Sequence, residues 1–266
     1  MPGSDGARVD VLGVAVDAQT LDHAVDTIGG WVDRGDPNYV CITGVHGVME
    51  SQDDADLRRI HNEAGMVAAD GMPLVWLSRR QLHDPGVERI YGPDLMLAAF
   101  ARSEATGWRH YLYGAAPATL DRLADNLHDR FPRANLVGAY SPPFRALDPA
   151  EDATVADQIA AAHPDIVWVG LSTPKQERWM ADHVGRVHAP VLVGVGAAFD
   201  FHAGMKRQAP AWMQHNGLEW AYRVAREPRR LAGRYFRNNP RFVWLLIKQT
   251  LERRLVIWNA DGNHCQ

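Results

Sequence analysis

Between Asp165 and Gly204 the chain reads DIVWVGLSTPKQERWMADHVGRVHAPVLVGVGAAFDFHAG, and this stretch restricts the fold more than any other. Two short apolar runs, Asp165–Leu171 and Ala189–Val195, are rich in Val and Ile, and each ends in a Gly- or Pro-bearing turn around a helical pattern. Runs that are apolar on both faces and joined by a crossover helix are parallel strands of an α/β sheet. Ligands of such sheets bind at the carboxyl ends of the strands. There the chain sets Ser172, Pro174, Lys175, Gln176 and Glu177 in one loop and Gly194, Gly196 and Asp200 in the other. These polar residues are the first candidates for a site.

The rest of the chain extends the pattern. Val9–Val16 and Tyr39–Thr43 read as strands separated by a helix from about Leu21 to Arg34, and the second strand runs into a loop Gly44-Val45-His46-Gly47. Gly65–Asp70 is a short apolar run that stops at Asp70-Gly71-Met72-Pro73, and Pro93 stands at the start of a further helix. After a polar stretch near Ser103–Trp108, a second series begins with strand His110–Tyr113, turn Gly114–Pro117 and strand Asn135–Tyr140.

The net charge of −4 is divided unevenly. Residues 1–205 hold 16 Lys and Arg against 28 Asp and Glu, a balance of −12, and residues 206–266 hold 12 against 4, a balance of +8. A basic tail on an acidic body calls for an anionic partner: phosphate, nucleic acid or a lipid surface. The two cysteines, Cys41 and Cys265, belong to no CxxC or Cys/His cluster, which argues for a reducing compartment. No signal-peptide pattern and no run approaching 18–20 apolar residues is present, so a cytoplasmic protein is expected.

Gly194-Val195-Gly196-Ala197-Ala198-Phe199 matches two-thirds of a dinucleotide fingerprint, but Phe199 occupies the third glycine position, so a nicotinamide cofactor is not expected. These glycines, and Gly114 after the first strand of the second series, suit either a phosphate approach or a tight turn. Asp54-Ala55-Asp56 has the form of a metal-binding DxD, yet it opens a helix and reads better as a cap. The 12 histidines show no ligand spacing, so no metal is expected. Lys175 to Glu177 suit both a helix start and an anion site. Asp70, delivered by an apolar run to a Gly-Pro loop, is placed either as a desolvated base or as a cap.

Several of these segments occur together in one known family. Ala69-Asp70-Gly71-Met72-Pro73, Arg89 with Gly92–Leu95, Gly170–Glu177, Gly194–Asp200, Arg207 to Trp212, Gly217-Leu218-Glu219-Trp220, Arg223, Glu227-Pro228 and Arg234-Tyr235 resemble the WecG/TagA/CpsF glycosyltransferases in order and type, over about Asp10 to Leu246. The resemblance implies an α/β fold. Divided where the composition turns polar near Ser103–Trp108 and where it changes again after Gly204, it comprises a smaller N-terminal α/β subdomain (1–104), a Rossmann-like parallel-sheet subdomain (105–204) for a nucleotide sugar, and a helical basic C-terminal appendage (205–266). It further implies an inverting enzyme that moves N-acetylmannosamine, its uronic acid or glucose from a UDP-sugar to a polyprenyl-diphosphate-linked acceptor, with no cofactor or metal, in the synthesis of cell-envelope polysaccharide or teichoic acid.

The resemblance also assigns residues. The base falls on Asp70, an activity-linked arginine on Arg89, a site glutamine on Gln176 and a nucleotide-holding acid on Asp200. The family's Thr-x-Asn keeps Thr43 but lacks the asparagine, and His46 is the nearby replacement. Inverting displacement needs one base and positive charge for the departing diphosphate. Arg89, Lys175, Arg223, Arg226 and Arg230 are the cations available. The tail interleaves arginines with aromatics from Ala211 to Trp258, which suits a helix at an anionic membrane surface on the inner face of the cell membrane. Single-stranded nucleic acid and an oligomer interface are the rival uses. The expected partners are the donor, the acceptor and the membrane, with no nucleic acid and with room for a homo-oligomer; a non-catalytic nucleotide-sugar or nucleic-acid binder is the alternative function.

Overall fold

The computed structural model describes residues 6–262, with side chains to Glu252. Arg253, Arg254, Trp258 and Cys265 of the expected tail lie outside the described side chains. The chain opens with strands β1 (Ala7–Val11) and β2 (Val14–Ala18), helix α1 (Leu21–Arg34), β3 (Asn38–Thr43), α2 (Val45–Asp53), α3 (Ala55–Glu63), β4 (Met66–Ala69), α4 (Met72–Leu82) and α5 (Gly92–Thr106). It continues through β5 (Arg109–Gly114), α6 (Pro117–Arg130), β6 (Asn135–Tyr140), α7 (Pro149–Ala161), β7 (Ile166–Gly170), α8 (Lys175–His183), β8 (Val191–Gly194) and α9 (Ala198–His202). The appendage consists of α10 (Ala211–His215), α11 (Glu219–Arg226) and α12 (Pro228–Gly262).

Eight strands form one sheet in the order β1-β2-β4-β3-β8-β7-β5-β6. All neighbours are parallel except β1 and β2, which pair antiparallel. The single strand expected over Val9–Val16 is thus a hairpin. Leu12 and Gly13, both at positive φ, make its two-residue turn, a geometry that matches strand twist and that the apolar run conceals. The expected boundaries at 104 and 204 fall in the last turn of α5 and just after α9, and β3 hydrogen-bonds to β8 across the first of them.

The central strands are buried on both faces, as their composition requires. Cys41, Val67, Val167, Val169 and Leu192 pack on one side with residues of α3, α4, α7 and α8, and with Phe242 of α12. Val40, Ala68, Trp168, Val191 and Val193 pack on the other with α1, α5, α6 and α9. Register brings the carboxyl ends level: Thr43 lies opposite Ala69, Cys41 and Val169 opposite Gly194, and Gly114 opposite Gly170. The loops that follow therefore open on one edge. Gly44-Val45-His46-Gly47 is not a free loop, since Gly44 is the N-cap and α2 begins at Val45.

The appendage folds back over this edge. Leu231 and Phe242 of α12 are buried, and Arg241 pairs with Asp53 at 2.6 and 2.7 Å, fastening α12 to the end of α2. The opposite face of α12 is bare: Phe236, Trp244, Ile247 and Leu251 are each more than half exposed. Among the described residues no helix is long and apolar enough to cross a membrane.

Candidate functional site

The strand-end loops and the appendage enclose a cavity of about 1120 Å³. Thr43, His46, Asp70, Arg89, Gln176, Gly194, Gly196 and Asp200 line it from the body, and Arg223, Arg226 and Arg230 from the appendage. Gly114 and Lys175 do not. Gly114, at φ +125°, is glycine because a Cβ there would stand 2.7 Å from the Gly170 carbonyl carbon; sheet packing accounts for it. Lys175 opens α8 with its side chain exposed, outside the cavity lining. At the ends of β5 and β7, Ala115 and Ser172 adopt positive φ and line the cavity, a local strain of the kind found at ligand sites.

Asp70 follows β4 directly, and its backbone N–H donates to the Thr43 carbonyl at 3.0 Å, so the loop after β4 is tied to the end of β3. Its side chain caps no helix: α4 begins at Met72 with Gly71 as N-cap. Instead Asp70 Oδ1 accepts from Arg89 Nη2 at 2.9 Å, among the described residues no donor is bonded to Oδ2, and Asp70 lines the cavity.

Arg89 is almost wholly engaged by the protein. Its Nε donates to the Asp70 carbonyl, Nη2 also donates to Glu219 Oε2 at 2.6 Å, and Nη1 donates to Gln214 Oε1 at 3.2 Å. The guanidinium lies 4.1 Å over the Tyr91 ring, and only 12% of the side chain is exposed. Of its five N–H groups four are taken, so Arg89 is built to hold Asp70 and has little left for a ligand phosphate. Burial, then the Asp70 charge, push the Glu219 carboxyl above its usual range.

Further positive charge lies along α11 and α12. His46 Nδ1 is 3.4 Å from Glu50 and 3.5 Å from Asn238 of α12. Burial, followed by the charges of Arg234, Arg223 and Arg237, lowers the His46 pKa to about 4, so the ring is neutral at pH 7 inside a cationic field. An asparagine does reach this corner, but from the appendage. Arg234 lines the cavity with a buried Nε that has no hydrogen-bond partner among the described residues. Sequence reasoning placed Arg234 and Glu219 in motifs without roles, because only the tertiary fold brings α11 and α12 to the loops after β3 and β4.

In the glycine-rich turn, a Cβ on Gly194 would stand 2.7 Å from Met180 Cε and 3.0 Å from Gln176 Nε2. Gln176 and Glu177 are both buried, and Gln176 Nε2 donates to Glu177 Oε1 at 3.1 Å, so the polar start of α8 is packed under that turn. Asp200 sits in α9 and pairs with Lys206 at 2.7 Å. The DxD is structural: Asp54 caps α3 by accepting from Leu57 N–H at 3.0 Å, and Asp54 and Asp56 both pair with Arg178. Among the described residues no group of three or more His, Cys, Asp or Glu is arranged to hold a metal.

The family described as "Glycosyl transferase WecG/TagA/CpsF family" matches residues 9–256. The chain belongs to the WecG/TagA/CpsF glycosyltransferases. Relatives from Staphylococcus aureus strains MW2 and NCTC 8325 / PS 47 are each 30% identical over 248 residues, covering 92% of this chain and 94% of theirs. Each is named N-acetylglucosaminyldiphosphoundecaprenol N-acetyl-beta-D-mannosaminyltransferase. In this WecG/TagA/CpsF chain the cavity brings together a carboxylate held by Arg89 and a separate group of arginines on α11 and α12.

Proposed function

We propose that this chain transfers a sugar from a UDP-sugar to a polyprenyl-diphosphate-linked acceptor with inversion, in cell-envelope polysaccharide or teichoic acid synthesis. The observation that carries the reading is Asp70 in the cavity lining, with one oxygen held by Arg89 and the other without a bonded donor among the described residues. In the proposed step Asp70 takes the proton of the acceptor hydroxyl, whose oxygen forms the new bond to the anomeric carbon. The bond from that carbon to UDP breaks with its electron pair, and the diphosphate charge falls on Arg223, Arg226, Arg230 and Arg234 without a metal. The names of the relatives make N-acetylmannosamine the first donor to try and a polyprenyl-diphosphate N-acetylglucosamine the first acceptor. The bare face of α12 and the nearby exposed Trp212 suit docking on the membrane that holds such an acceptor.

The test is UDP release from a panel of UDP-sugars with a short-chain prenyl-diphosphate N-acetylglucosamine, in excess EDTA. Asp70→Asn keeps an acceptor for Arg89 but removes the base, so turnover should fall by about 10²–10⁴-fold while UDP still binds. Near-normal turnover of that variant would remove Asp70 from the chemistry. Activity lost in EDTA and restored by magnesium or manganese would refute the metal-free step.

A further inference from the structure

Glu219 and Gln214 reach the site from the appendage, and the chemistry above gives neither a task. Both line the cavity and both bond Arg89. The guanidinium plane is set by four acceptors from two parts of the chain: the Asp70 carbonyl and carboxylate in the loop after β4, and Gln214 and Glu219 of α10 and α11. The two N–H groups of Nη2 are divided, one to Asp70 Oδ1 at 2.9 Å and one to Glu219 Oε2 at 2.6 Å. Tyr91 closes one face of the plane. Without Glu219 the outer half of the guanidinium has one amide oxygen, 3.2 Å away, to hold it from the appendage side.

We infer that Glu219 is a positioning residue: it fixes the Arg89 plane that aims Asp70 into the cavity, so the seating of the 204–218 segment on Arg89 and a correctly aimed base are one event, whereas α12 is fastened separately through Arg241 and Phe242. The inference rests on the reading of Asp70 as the base. Glu219 touches no reacting atom; it acts through Arg89. Its cost of removal is therefore a misplacement cost, and a displacement of about 1 Å at such a group is worth on the order of 10²-fold in rate.

The experiment compares full-length Glu219→Ala, Glu219→Gln, Arg89→Lys, Arg89→Ala and the double variant Arg89→Lys with Glu219→Ala. Turnover, KM for the UDP-sugar, UDP dissociation and limited proteolysis across residues 204–218 are read for each. Glu219→Ala should lower kcat about 10²-fold with UDP dissociation changed by no more than about twofold, a loss confined to the transition state. Glu219→Gln retains an oxygen for Nη2 and should recover at least about tenfold of that. The double variant should be no worse than Arg89→Lys alone, because both act on one unit.

Unchanged kcat in Glu219→Ala, a parallel loss of UDP binding, or additive losses in the double variant would each overturn the inference. If the unaltered protein releases UDP from no donor, the proposed function fails, and proteolysis still decides this point. Glu219→Ala should then open the 204–218 segment as far as Arg89→Ala does, and full protection in Glu219→Ala refutes the link.

Discussion

His46 should make the stability of this fold fall steeply in mild acid. Its ring is three-quarters covered, and burial together with Arg234, Arg223 and Arg237 lowers its pKa from 6.5 to about 4. Between those values the unfolded chain holds a proton on His46 that the folded chain refuses, so unfolding takes up protons and stability rises with pH through the window. The contribution is fully present above pH 6.5 and is lost as pH falls toward 4. At pH 4.5 the linkage amounts to about 2.5 kcal/mol, from about 1.4 kcal/mol for each unit of separation. His46→Asn removes the titration and keeps a polar group beside Asn238. Urea unfolding of both chains at pH 7.5 and 4.5 isolates the effect, since the other histidines cancel in the difference. The variant should gain about 2.5 kcal/mol on the unaltered chain on going from pH 7.5 to 4.5. Parallel pH dependence in the two chains would show that His46 is not held in a cationic field.

Two more outcomes follow from the same contacts. Arg89→Met leaves Asp70 and Glu219 facing each other with Arg89's charge gone, and it should cost about 3–5 kcal/mol in urea unfolding; a cost under about 1 kcal/mol would mean that the network is as solvated as a surface pair. Full-length protein should sediment with vesicles of graded anionic content, with each basic residue near the surface contributing about 1 kcal/mol. Trp244→Ser should weaken that binding and removal of residues 237–266 should weaken it more, whereas tight, salt-sensitive binding of single-stranded nucleic acid with indifference to lipid would defeat the membrane reading.

Much of this arrangement was legible because parallel strands are apolar on both faces and their carboxyl ends are predictable sites. Asp70, Gln176 and the Gly194–Gly196 turn were found that way, and they line one cavity. Local pattern failed where the information is not local. Leu12-Gly13 hides a hairpin inside a continuous apolar run, because a turn of two residues leaves the alternation almost intact. Lys175 stands one residue before Gln176, yet a helix turns successive side chains about 100° apart, so one is exposed and the other buried. The acid Glu219 and Arg89 are 130 residues apart and share no pattern; only the return of the appendage over the sheet edge joins them.

That return also decides how charge is divided across the cavity. Asp70, Arg89 and Glu219 together carry more negative than positive charge, and Arg89 has one N–H left to give. A departing diphosphate placed there would meet two carboxylates and an arginine already neutralised. Around His46 the balance is reversed: burial, followed by the charges of Arg234, Arg223 and Arg237, keeps the proton off the ring. On the proposed reading the substrates are therefore ordered by the field: the acceptor hydroxyl lies toward Asp70, the diphosphate toward the arginines of α11 and α12, and the anomeric carbon between them. Arg223, 3.8 Å from Glu219, marks the seam between the two halves. The base and the leaving-group cations are then on opposite sides of the transferred sugar, which is the arrangement that in-line displacement with inversion demands.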